Sequence, residues 1–433
     1  MESLWTQSVT PREWGELQGD IKTDVLIVGG GIAGLLCAYM LCREGVDCII
    51  VEKDRICGGE TQNTTAKITL QHGLFCSKML KDFGFYNTQL FVKAQAEAID
   101  VFEKLCANID CNFEKKASCV YSKNNIREIE NEAWALNQVG VKARVINNTT
   151  LPFSVSGAVR IENQAQFNPL KFTCSLADKL NIYEKTKVLE INGNIAVTNK
   201  GKITANSIIV ATHFPFINSH GGYFLKMYQH RSYVLALKDA TEMDAMYVDN
   251  DKKGLSFRNY NGMLLLGGGG HRTGKKGGGY AELQKEAKKY YPKATEITNW
   301  AAQDCITLDG VAYIGRYSRN TKGLYVATGF NKWGMTNAMV SASILRDTIL
   351  GVHNEYAEVF SPSRNMLIKN LAINIAESTL GLITPFKPRC THLGCALNYN
   401  KQEHSWDCAC HGSRFNECGE VIDNPALIDK EFK

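Results

Sequence analysis

No positively charged start followed by an apolar core opens this 433-residue chain, which begins MESLWTQSVTPREWGELQGDIKTD. That excludes a secretory signal peptide and predicts a cytoplasmic protein. No long basic block is present either. The formal net charge is +5, and the lysines fall in short runs such as Lys275–Lys276 and Lys288–Lys289. Runs of that kind are solvated surface, so no nucleic-acid partner is expected. There is no internal repeat and no low-complexity stretch. One apolar run, Val25 to Cys42, is about long enough to span a bilayer. Gly29, Gly30, Gly31 and Gly34 break it. A strand, turn and helix explain it better, and no membrane span is expected.

Cysteine, by contrast, is abundant, at fifteen residues. Without an export signal most should be reduced thiols, and many should be small buried apolar residues. The length allows two or three domains, each large enough to bury a core.

The apolar strand DVLIV (24–28) leads through a glycine turn into an apolar helix to about Arg43, then into a second strand, DCIIVE (47–52). Helical patterns recur at 90–110 and 126–139, and again at 335–351, where Gly351 ends the last one. Strand-like runs appear at 187–192, 207–212, 232–237, 263–268 and 324–329. Strands mixed with helices predict an α/β or α+β domain around a buried sheet.

The turn Gly29-x-Gly31-x-x-Gly34 follows a strand, opens a helix, and is followed eighteen residues later by Glu52 at the tip of the next strand. Glycines let backbone N–H groups approach a pyrophosphate, the helix N-terminus favours its charge, and the acid can accept from ribose hydroxyls. This predicts one dinucleotide site. The other glycine-rich stretch, MLLLGGGGHRTGKKGGG (263–279), contains no GxGxxG that opens an apolar helix, and its basic residues suggest a loop.

VLIVGGGIAGLLCAYML with VEK (51–53) resembles the FAD-binding start of the D-amino acid oxidase superfamily, which includes glycine oxidase, sarcosine oxidase and D-amino acid dehydrogenase. TQNTTAKITLQHG (61–73), IIVATHFPF (208–216), LDGVAYIGR (308–316) and LYVATGFNKWGMTNAMVSASILRD (324–347) resemble its other flavin-contacting blocks. The resemblance spans about residues 21–360. It implies FAD held by Gly29, Gly31, Ile32, Ala33, Gly34, Glu52 and Lys53, with Val188 at the adenosine part and Ala211 and Thr212 in a second FAD-contacting strand. It places Thr64, Thr65, Ala66 and Lys67 near the ring system, and Gly334, Met335 and Thr336 near flavin N1 and O2. Backbone amides at such a helix start stabilise the charge of reduced flavin. No His–Asp pair stands out as a catalytic base. The candidate substrate-facing residues are Lys332, Arg258 and the His271–Arg272 pair, since an arginine fork suits a carboxylate.

Near the C-terminus, Cys390-x-His392 and Cys408-x-x-His411 form two ligand pairs separated by fifteen residues. A Cys₂His₂ zinc site is one reading. Zinc sites more often pair like with like, whereas here each half offers one thiolate and one imidazole. That suits a 2Fe–2S cluster with two thiolates on one iron and two imidazoles on the other. CTHLGC and CACHGS resemble the two cluster loops of Rieske domains. The resemblance implies a disulfide between Cys395 and Cys410, and a hydrogen bond from Ser413 to a cluster sulfur. His404 falls in the variable loop and reads as a solvated surface residue. Rieske domains normally place several strands before the first loop, but residues 365–388 look helical or coil. The remaining module is below the size that folds alone without staples, so it should lean on the flavin domain or a partner.

The expected fold is therefore an α/β (α+β) FAD-binding Rossmann-type domain with an interleaved antiparallel-sheet substrate domain, plus a small all-β Rieske-like module. The expected divisions are an N-terminal arm (1–20), the oxidoreductase domain (21–360), a linker or helix (361–388) and the Rieske module (389–433). Within the second, about 21–75, 155–215 and 300–355 are assigned to FAD, and about 76–154 and 216–299 to substrate. The expected activity is oxidation of a small amine or amino-acid-like substrate, with electrons passing through the cluster to an unidentified acceptor. A redox-sensing or electron-transfer protein with no organic substrate is the alternative, and the cluster could also act as the entry point, fed by an electron donor.

Overall fold

The computed structural model describes residues 2–251, 254–365, 371, 374–375, 379, 381–385 and 387–432. Three sheets organise it. The first has a parallel core of five strands, in the order Leu324–Thr328, Lys202–Val210, Ile21–Val28, Cys48–Val51 and Asn181–Tyr183. Its central strands are continuous apolar runs because both faces are covered. Helix Ile32–Arg43 packs on one face together with helix Gly334–Leu350. The latter stops at Gly351, whose φ of +73° is the left-handed conformation that glycine adopts at a helix C-terminus.

The second sheet has nine strands and is antiparallel except for one pair, Ala245–Asp249 beside Glu114–Ser122. Its edge is strand Thr295–Thr307, paired along its length with Met227–Lys238, which in turn pairs with Met263–Arg272. The glycine-rich stretch expected as a loop continues this last strand through Gly267–Gly270 to Arg272. Glycine is needed there because neighbours crowd in. A Cβ on Gly267 would lie 2.4 Å from Ser256 Oγ, and one on Gly268 2.8 Å from Leu255. Two strands also cross the expected division. Gly157–Gln166 and Thr295–Thr307, assigned at least in part to the FAD portion, both belong to the second sheet. The long helix Phe75–Cys106 starts before the expected 90 and is kinked at Gly84.

The third sheet is small and antiparallel: Leu397–Asn400, Ser405–Cys408, Arg414–Asn416 and Val421–Asp423. Its strands follow the first cysteine–histidine loop. Half of the stretch before it, expected as helix or coil over 365–388, lies outside the described residues. Among the described residues this module's own core holds Leu397, Phe415 and Ala426 with four buried cysteines. The N-terminal arm is not only surface. Trp5 is fully buried, and its indole donates to Thr64 O at 2.7 Å. Among the described residues no helix is long and apolar enough to cross a membrane.

Candidate functional site

The glycine turn sits where strand Ile21–Val28 meets helix Ile32–Arg43. Gly29 has φ +112°, and a Cβ there would lie 2.6 Å from Ala211 O. A Cβ on Gly34 would lie 2.0 Å from Gly29 O. Both positions therefore exclude side chains, and the helix start is left without a side-chain cap. Glu52 stands at the tip of the neighbouring strand. Its carboxylate accepts from Gly30 N at 2.8 Å and Asp54 N at 3.1 Å, and burial pushes its pKa up. Lys53 points outward and pairs with Asp54. Ile32 N is held by Thr61 Oγ1 at 3.0 Å. Ala211 and Thr212 continue from the adjacent strand Lys202–Val210, and Val188 is buried in the same layer. This is a cradle of tight, side-chain-free backbone at a helix start, and it fits a dinucleotide pyrophosphate.

The segment 64–67 runs beside it. Ala66 has φ +53°, and Thr64 Oγ1 accepts from its amide at 2.9 Å. Lys67 is buried, and its Nζ reaches Thr65 Oγ1 at 3.1 Å. Burial first, and then the nearby Arg258 charge, pull its pKa down to about 7. Arg258 is not substrate-facing. It is 1% exposed, and its guanidinium donates to Thr65 O, to Ala66 O at 2.8 Å and to Phe167 O at 3.1 Å. With all these donors committed to carbonyls, its work is to brace the 64–67 segment.

Helix Gly334–Leu350 points its first turn at the same space, with Gly334 at its start and Met335 and Thr336 buried behind it. The sequence did not single out His72, yet it lies here. Its ring stacks on Trp333 with centroids 5.0 Å apart, and Nε2 sits 3.1 Å from Thr336 Oγ1. Burial holds its pKa down at about 3, so it is neutral. A lone histidine in a polar loop carries no sequence signal for such a contact. His72, Phe75, Tyr228, Thr307, Asn331 and Trp333 line a cavity of about 670 Å³.

The strand pair Met227–Lys238 and Thr295–Thr307 forms the far wall. His230 is opposite Asp304, and Tyr228 opposite Ile306, so these side chains share one face. Lys332 Nζ donates to Ser232 Oγ at 3.1 Å on this face. Lys332 itself is solvent-exposed, and burial pushes the pKa of Asp304 up. Of the two candidates near the flavin-type segments, Arg258 is spent on backbone carbonyls, whereas Lys332 Nζ lies on this wall. His271 instead pairs with Tyr233 OH at 3.0 Å. Arg272 is not substrate-facing. It donates to Ala409 O at 3.0 Å and Cys410 O at 3.1 Å in the C-terminal module.

That module presents two loops. Cys390 to Cys395 is closed by Cys390 N to Cys395 O at 2.8 Å, and Cys408 to Ser413 by Cys408 N to Ser413 O at 2.9 Å. The His392 and His411 rings face each other with centroids 5.0 Å apart. His392 Nδ1 and both ring nitrogens of His411 are buried and make no hydrogen bond. Buried nitrogens left unpaired call for a ligand. Cys390 and Cys408 are 3% and 0% exposed. Two thiols and two imidazoles converging from two loops fit a cluster with mixed ligation. His392 Nε2 meets Asn218 Oδ1 at 3.1 Å, which leaves Nδ1 as its ligand atom. The sulfurs of Cys395, Cys408 and Cys410 lie within 4.8 Å of one another. The Ser413 hydroxyl accepts from Ala426 N at 3.0 Å. His404 is at the surface beside Glu417.

Residues 24–348 match the family model of FAD dependent oxidoreductases (DAO), and residues 362–430 match that of the Rieske [2Fe-2S] domain. The chain belongs to the FAD dependent oxidoreductase family. It binds FAD through that domain and a 2Fe–2S cluster through the Rieske domain. Over 98% of its length this oxidoreductase is 31% identical to a Bacillus subtilis protein, YhfW, described as a Rieske 2Fe-2S iron-sulfur protein, covering 96% of that relative. A stretch of 39 residues is 51% identical to the cytochrome b6-f complex iron-sulfur subunit of Fritillaria agrestis, covering 9% of this chain and 17% of that one. The fold is that of glycine oxidase from Geobacillus kaustophilus, with a TM-score of 0.68 and 18% identity over 80% of this chain and all of that one.

Proposed function

We propose that this oxidoreductase oxidises a small amine or amino-acid-like substrate and passes the electrons through its Rieske cluster to an external acceptor. FAD, when bound, supplies a two-electron acceptor for the substrate, and the cluster a one-electron outlet. One observation carries the reading. Strand Met227–Lys238 is common to both sites: Tyr228 and Ser232 face the flavin side, while Gln229 and Arg231 hold the cluster module. A wall one strand thick suits transfer between the two centres.

The chain's own residues have definite tasks in this scheme. Gly29, Gly31 and Gly34 admit the pyrophosphate, and Glu52 orients the turn through Gly30 N. Thr64, Thr65, Ala66 and Lys67, braced by Arg258, border the ring. The amides of Met335 and Thr336 supply positive potential at the helix start. Neutral His72 with Trp333 closes one side against water. Lys332 and Asp304 offer a cation and an acid to the substrate from the opposite wall. Cys390, His392, Cys408 and His411 hold the cluster.

The test is anaerobic mixing with a panel of amines and amino acids, followed by visible and EPR spectra. Bleaching of the flavin by a panel member, then a reduced-cluster EPR signal, is the expected result. Bleaching only by dithionite or a partner protein would refute a small organic substrate and favour a purely electron-transferring protein.

A further inference from the structure

The second cluster loop is held by the flavin domain through four successive backbone carbonyls. Ala409 O and Cys410 O accept from Arg272 at 3.0 and 3.1 Å. His411 O accepts from Gln229 at 2.9 Å, and Gly412 O from Gln303 at 3.0 Å. Gln303 also donates to Gln229 Oε1 at 2.7 Å and accepts from Thr273 Oγ1 at 2.9 Å, so the two amides are locked in one orientation. Two glycines permit the approach. A Cβ on Gly274 would lie 2.5 Å from Ala409 N, and one on Gly412 2.5 Å from Gln229. Arg272 is itself fixed, lying over the Tyr228 ring at 4.7 Å and donating to Asn374 Oδ1 at 3.0 Å.

These four carbonyls lie between and just after the ligands Cys408 and His411. The neutral amides Gln229 and Gln303 serve the end of the loop. A permanent cation serves its middle. Reduction of a cluster adds negative charge, and a fixed positive charge beside it favours the reduced form. An arginine also cannot lose its charge at accessible pH.

We propose that Arg272 is a positioning residue for the cluster: it clamps the second cluster loop onto the flavin domain and raises the cluster's reduction potential. This goes beyond the substrate reading and does not need a substrate to test it. It does use the ligand assignment, which loss of the cluster EPR signal in Cys408→Ala checks separately.

The experiment is an EPR-monitored redox titration of the full chain, loaded with FAD and cluster, comparing the native protein with Arg272→Lys and Arg272→Gln. Arg272→Gln keeps one donor and loses the charge. Its flavin–cluster redox equilibrium should shift at least tenfold away from the reduced cluster, which is 59 mV for a one-electron couple. Arg272→Lys keeps the charge without the planar fork. Its potential should stay within a threefold equilibrium shift of native, while its EPR g-values move because the loop is no longer gripped at both carbonyls. A native potential and native g-values in Arg272→Gln overturn the proposal. If Arg272→Gln holds no cluster, Arg272→Lys decides: a native-like potential with displaced g-values supports the clamp, and a tenfold or larger drop overturns the charge effect.

Discussion

Glu403 ties the Rieske module to the flavin domain through a buried charge pair. Its carboxylate is 9% exposed and pairs with Arg231, which is 5% exposed, and with Arg414 at 3.2 Å. It also accepts from Tyr233 OH and Asn400 Nδ2, each at 3.0 Å. Glu403→Ala leaves two buried guanidinium groups facing each other, with Asp423 and Asp407 as the remaining nearby acids. Removing one partner of a buried pair costs about 3–5 kcal/mol. That is roughly a thousandfold in the docking equilibrium, at 1.4 kcal/mol per factor of ten. The module's small core cannot absorb the loss. Urea titration should therefore show cluster absorbance lost well before flavin fluorescence changes, with the two transitions closer together in the native protein. Glu403→Gln, which keeps an acceptor, should lie between. A Glu403→Ala shift below about 1 kcal/mol would show the pair to be an exposed-type bridge and refute the reasoning. The pH dependence has a definite sign. Burial pushes the Glu403 pKa up, but Arg231 and Arg414 outweigh it and hold it below the usual carboxylate range. Its stabilisation is present above the ordinary glutamate pKa and is lost as pH falls through the depressed folded value. Cluster retention should weaken on acidification below about pH 4, and Glu403→Gln should lose that component.

Three further outcomes follow from the geometry. In Gly34→Ala the new methyl meets a backbone oxygen at 2.0 Å, so the turn must open. At about 1–3 kcal/mol for such overpacking, FAD affinity by fluorescence titration should fall by about 5- to 150-fold, and unchanged affinity would refute the cradle. Arg258→Met strands the carbonyls of Thr65, Ala66 and Phe167 at about 1–3 kcal/mol each. It should cut the chain's urea stability and speed FAD release; faster release without any stability loss would speak for direct flavin contact instead. In air-exposed, cluster-loaded protein, alkylation and mass spectrometry without reductant should find Cys395 linked to Cys410, and two alkylated thiols would refute that disulfide.

Some of this protein was legible because its chemistry is local in sequence. The glycine turn places strand, turn, helix and Glu52 within about thirty residues, and backbone geometry forces them together. The two cysteine–histidine pairs each sit in one tight loop, so candidate ligands could be picked out by spacing. Helix Gly334–Leu350 announced its end through Gly351. Side chains whose partners lie far away were not legible. Arg258 and Arg272 read as free cations for a carboxylate, but each meets backbone carbonyls: Arg258 those of 65, 66 and 167, Arg272 those of 409 and 410. Charge type alone cannot tell a substrate from a carbonyl. His72 gave no sign, since its role depends on Trp333 and Thr336 some 260 residues away.

Sequence by itself determined the two cofactor classes, because each needs a short, contiguous arrangement of backbone and ligand atoms. Only the tertiary structure decided how the Rieske module is held. Alternation along Met227–Lys238 sends Gln229 and Arg231 to one side of the sheet and Tyr228 and Ser232 to the other. Which side faces what is a property of sheet packing, and no pattern within that strand names the module that docks on it.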